Sequence, residues 1–118
     1  MRTLLALFSG LALAAQEPAR LPERLLFVGE KAHAGRASEF TDFLQRHFAS
    51  VAATTHEGFT AAAAKDADVV LLDWHTGEDW ARARSPLGAL DGWSKPVVLL
   101  GSAGLNTAIA WNVLGGFG

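Results

Sequence analysis

Three short segments gather side chains that could do chemistry. "GEKAHAGR" (residues 29–36) carries Glu30, Lys31, His33 and Arg36. "DWHTGED" (residues 73–79) carries Asp73, His75, Glu78 and Asp79. "GSAG" (Gly101, Ser102, Ala103, Gly104) is a small-residue turn between an apolar run and a helix-like pattern. His33 and His75 could serve as acid and base on a bound substrate. With Glu30 or Asp73 they could also form a mixed nitrogen–oxygen metal site. "HTGED" lacks metal-ligand spacing, so polar binding is the expectation and no metal is assigned. Ser102 raises the question of a nucleophile. "S-A-G" fits the second half of a G-x-S-x-G elbow, but Leu100 stands where the first glycine belongs. No histidine follows Ser102, so His33 or His75 would have to serve as its base. The favoured reading is that Ser102 caps the last helix, while the backbone amides of Gly101, Ala103 and Gly104 hold an anionic or carbonyl oxygen. Glu30 and Asp73 are assigned to orienting or binding a ligand.

Other chemistries are excluded. The chain has no cysteine, which removes a thiol nucleophile, zinc–thiolate sites and disulfide staples. "GEKAHAG" is neither G-x-G-x-x-G nor a Walker loop, so no cofactor is expected. The net charge is −2 with no basic run, which leaves nucleic acid without an electrostatic footprint. His47, beside Phe48, and His56, in a loop, read as structural or solvated. Trp74 and Trp80 could wall a sugar-binding cleft, although packing of the long segment onto the core is the commoner use of such residues.

Positioning these segments falls to the elements between them. Residues 1–15, "MRTLLALFSGLALAA", have one positive charge, an apolar run and an A-x-A ending, the layout of a signal peptide. A secreted or periplasmic location follows as an expectation, with no membrane contact after removal of the signal. Residues 16–23 read as a linker containing Pro18 and Pro22, and residues 24–118 as one domain. There, "RLLFVG" (24–29), "VAATT" (51–55), "DVVLLDW" (68–74) and "PVVLL" (96–100) read as strands. The continuous apolar runs suit parallel strands covered on both faces. Phe40, Phe43, Leu44 and Phe48 mark a helix over 38–48 with Ser38 as its cap, and Thr60 caps a short alanine-rich helix. Residues 78–93 are expected to be helical in part, with Ser85-Pro86 as a start signal. A last helix is expected over 105–114, stopped by Gly115.

Alternation of this kind gives a three-layer α/β fold of the flavodoxin-like type. The weak second strand suits an edge, so the strand order is 2-1-3-4. Ligands in such sheets bind beyond the strands' carboxyl ends at the switch point, here between strands one and three. The three polar segments therefore converge on one rim. The fourth strand would be an unprotected edge. Either the domain is truncated before a fifth strand, or the edge pairs with another copy.

The stretches "LLFVGEKAHAGRASEFTDFLQRHF", "DADVVLLDW" and "KPVVLLGSAGLNTAIAW" together resemble the ThuA-like proteins, related in fold to class I glutamine amidotransferases. The resemblance implies an exported domain linked to carbohydrate metabolism and a small-molecule or sugar-like ligand. Amidotransferases carry a cysteine at the elbow, with a later histidine and glutamate. Here Ser102 is the nearest position, so glutaminase activity is not expected. "ADVVLLDW" and "KPVVLL" also resemble receiver domains of response regulators, with Asp73 at the phosphoryl-accepting position, but only Glu30 of the usual acidic pair is present. The alternative to a small-molecule site is a non-catalytic binding or assembly module of flavodoxin-like or receiver-like fold.

Overall fold

The computed structural model describes residues 18–75, 83–101 and 104–113. Four parallel strands form one sheet in the order β2-β1-β3-β4, with β1 Leu21–Gly29, β2 Phe48–Thr55, β3 Val69–Asp73 and β4 Val97–Leu100. Among the described residues three helices accompany it: α1 Ala34–His47, α2 Ala61–Lys65 and α3 Gly104–Ala110. This is the flavodoxin-like α/β arrangement that the apolar runs imply.

The inner strands explain the fold's two cores. Alternate residues of a strand face opposite sides of the sheet. Leu26, Val28, Val70 and Leu72 pack on one face with Ala64, Ala67, Trp74 and Leu87. Leu25, Phe27 and Leu71 pack on the other with Leu44 of α1. Burial of such a side chain contributes about 1.5–3 kcal/mol, which is why β1 and β3 can occupy the centre. Small, largely exposed residues such as Ala49, Ser50, Ala52 and Ala53 leave β2 at an edge.

Several boundaries differ from the sequence expectation. β1 begins at Leu21, inside the expected linker, because Leu21 pairs with Phe48. The register slips between Leu21 and Arg24, where Pro22 lacks a ladder donor. Arg24 then fastens that end of the sheet. Its backbone N–H donates to Asp68 Oδ2 at 2.8 Å, and its guanidinium donates to both carboxylate oxygens at 3.3 and 3.2 Å. α1 begins at Ala34, after a 3-10 turn over Lys31–His33, so Ser38 lies inside the helix and does not cap it. Thr60 caps α2 as expected, accepting from the Ala63 amide at 3.2 Å.

No helix forms over residues 83–96. Ser85 starts only one turn: its Oγ accepts from the Leu87 amide and its carbonyl from the Gly88 amide. Gly88 then turns at φ +76°, outside the helical region. Trp93 and Trp111, with ring centres 5.7 Å apart, pack this segment and α3 against the sheet's first core. The Trp93 indole donates to the Lys95 carbonyl and that of Trp111 to the Gly88 carbonyl. α3 ends earlier than expected. Asn112 adopts φ 52°, and the amides of Asn112 and Val113 return to the carbonyls of Ile109 and Ala108. That is a Schellman stop, built on asparagine in place of glycine.

Candidate functional site

At the carboxyl end of the sheet, β1 leaves the ladder one step before β3 does. Val28 pairs with Leu72, and the chain then turns away through the 3-10 segment. Trp74 donates its N–H to Leu100 on the β4 side. The neighbouring Asp73 C=O and His75 N–H therefore face the β1 side, where no strand backbone remains. Side chains take both groups. The His56 ring, Nε2, lies 2.9 Å from the Asp73 carbonyl. A carbonyl only accepts, so Nε2 carries the proton and donates. The Glu30 carboxylate accepts the His75 N–H at 2.8 Å. His56 is itself fixed by its own amide, which donates to the Gly29 carbonyl at 2.9 Å, and by edge contact with the Trp74 ring.

This closure brings the two predicted histidines together. The His33 and His75 rings meet edge to face with centres 5.5 Å apart. His33 Nε2 lies 3.8 Å from Glu30 Oε2, within ion-pair range but beyond hydrogen-bond reach. His33 is partly exposed and His75 exposed. His33 also stands at the N-cap of α1 without making a capping bond, and no acidic residue occupies the first turn of that helix. The pair thus combines two imidazoles, which can donate, accept or carry a proton, with one carboxylate. Among the described residues, no group of three or more His, Cys, Asp or Glu side chains is arranged to hold a metal ion.

Asp73 takes a different place from the one its sequence position suggests. It is buried, and both its oxygens accept from Arg36 on α1, at 2.7 and 3.0 Å. The Arg36 guanidinium also lies 4.9 Å above the Phe40 ring. The hydrogen bonds to Asp73 raise the Arg36 pKa further above its already high ordinary value. Asp73 is thus hydrogen-bonded within the protein and ties α1 to the end of β3. Gly101 follows β4 at φ +84°, where any Cβ would collide with the Trp74 carbonyl. Gly104 opens α3. Ser102 and Ala103, along with Glu78, Asp79 and Trp80, lie outside the described residues, as does the expected signal peptide.

Two features of the rim escaped sequence reasoning: the Arg36–Asp73 pair and the His56 bond to β3. Both join residues brought together only by the strand order, and neither leaves a spacing signal. A cleft of about 730 Å³ also opens between the 83–91 turns and α3, lined in part by Arg84, Leu90, Asp91 and Ile109. It includes none of the rim's side chains.

No family model matches the chain, and neither a curated protein nor a solved structure matches it.

Proposed function

We propose that the rim beyond β1 and β3 binds a small polar ligand, sugar-like in its hydroxyl and carbonyl groups. The carrying observation is the edge-to-face contact of His33 and His75, two half-open imidazoles delivered by different strands and backed by Glu30. Imidazoles and a carboxylate at this spacing can hydrogen-bond vicinal hydroxyls, and can pass a proton at a carbonyl. The resemblance to ThuA-like proteins points to the same ligand class in an exported, carbohydrate-linked domain without glutaminase activity.

The test is a thermal-shift and calorimetric screen of monosaccharides, polyols and sugar acids against the wild type, His33→Ala and His75→Ala. A ligand that raises the wild-type melting temperature should lose at least about tenfold in affinity with either variant, equivalent to one good hydrogen bond. Unchanged binding in both variants would remove the histidines from the site.

A second reading, a non-catalytic binding or assembly module, has its own support. Glu30 and His56 already serve β3 by satisfying its orphan amide and carbonyl. On that reading the rim residues close the sheet, and no compound in the screen shifts the melting temperature.

A further inference from the structure

From Pro96 to Gly118 the sequence holds no Asp, Glu, Lys, Arg or His; all ten Lys and Arg and all twelve Asp and Glu precede it. This charge-free fifth includes β4, at the edge of the sheet among the described residues, and α3. Val98 on β4 is 45% exposed, and Leu105, Ile109 and Val113 leave about half of their surface in water. A solvent-facing helix surface is ordinarily polar, and edge strands are ordinarily guarded by charge. Lys95, beside β4, offers no such guard. Its ammonium donates to the carbonyls of Lys65 and Ala67, at 3.0 and 2.6 Å. Depletion of charge marks the core of protein interfaces.

We propose that β4 pairs with β4 of a second copy of this chain, antiparallel, about a two-fold axis at Val98. The identity of the occupant follows from the charge pattern. A two-fold contact sets a patch against itself, so like charges near the axis oppose one another; a patch without charge carries no such penalty. The register follows from the ladder inside the chain. Val70 donates to the Pro96 carbonyl and Trp74 to the Leu100 carbonyl. Positions 96, 98 and 100 thus address β3, and the N–H and C=O groups of Val97 and Leu99 point outward. Centring the axis on Val98 places Val97 opposite Leu99 of the partner subunit, and Leu99 opposite Val97 of the partner subunit. Four N–H···O bonds form, and the two Val98 side chains meet in a non-hydrogen-bonded pair. The axis keeps corresponding faces together, so the uncharged α3 of each copy flanks the seam.

Sedimentation velocity of the full chain over a wide concentration range tests this independently of any ligand at the rim. A reversible dimer is expected. Val98→Lys sets two ammonium groups opposite each other, and Val97→Pro removes an outward N–H without touching the ladder to β3. Each should raise the dimer dissociation constant at least about tenfold, with the far-UV spectrum of the dilute chain unchanged. A chain that stays monomeric at every concentration overturns the proposal. So does a dimer that survives both substitutions, including one split by Ile109→Lys alone.

Discussion

Two arginine–aspartate pairs sit at opposite ends of the same sheet and make nearly the same bonds. Arg24 grips both oxygens of Asp68 where β1 and β3 begin, and Arg36 grips both oxygens of Asp73 where β3 ends. Their surroundings differ. The Arg24 and Asp68 side chains are 52% and 43% exposed, whereas Asp73 is 3% exposed beneath a 34% exposed Arg36. An exposed pair exchanges one set of good hydrogen bonds for another, and its net contribution is small. A buried carboxylate has no water to return to, so losing its partner is costly even where the pair itself contributes little. The same chemistry is therefore a fastening at one end and a structural necessity at the other.

The comparison is sharpened most by Arg36→Met. That substitution strands the buried Asp73 carboxylate and should lower the melting temperature by on the order of 10 °C. Arg36→Met combined with Asp73→Leu should recover much of the loss, because an apolar pair carries no unpaired charge. A small effect of Arg36→Met would mean that water reaches Asp73. Next in size is Gly101→Ala. A Cβ there meets the Trp74 carbonyl in a left-handed backbone, at a cost of about 1–3 kcal/mol in denaturant titration. An unchanged midpoint would show that β4 and the exit of β3 are not in close contact.

The smallest effect belongs to Asp68→Asn. The side-chain bond from Arg24, then its backbone N–H, holds the Asp68 pKa below its ordinary value. A carboxylate lowered in the folded state contributes stability above its unfolded pKa of about 3.9 and loses it as pH falls through the folded value. The modest gap between wild type and Asp68→Asn at neutral pH should therefore close as pH drops below about 4. A gap that widens in acid would contradict the pairing. Losing Arg36 above the buried Asp73 has no such mild counterpart, and that asymmetry is what the pH series and the Arg36 variant measure together.

How far the sequence could be read follows the same division between local and distant causes. The central places of β1 and β3 were legible because "LLFV" and "VVLLD" are continuous apolar runs while "VAATT" is not, and such runs suit strands covered on both faces; "PVVLL" reads the same way, yet Val98 is left exposed on an edge strand. The Thr60 cap was legible because its partner lies three residues away. The helix expected after residue 78 does not form over 83–96, since Pro86 and Gly88 commit the chain to a turn that Ser85 closes. The end of α3 was misplaced because asparagine serves at Asn112 where glycine is the usual signal.

At the rim, the sequence supplied Glu30, His33 and His75 as neighbours once the strand order was known. It assigned Asp73 to a ligand; in the structure both of its oxygens accept from Arg36. Nothing local distinguishes a carboxylate at a strand end that faces solvent from one that faces a helix. The parity of Leu71 and Asp73, both on the α1 side of β3, settles it, and parity matters only after the helix has been placed.

The central claim is that β1 and β3 deliver His33 and His75 to one place. It is tested most directly by nuclear Overhauser spectroscopy of the full chain with histidine-selective labelling. Cross-peaks are predicted between the imidazole protons of His33 and His75, as rings 5.5 Å apart require, and a second set between His56 and the Trp74 indole. Assigned His33 and His75 rings with no cross-peak between them, while the His56–Trp74 contact is present, would contradict a shared site.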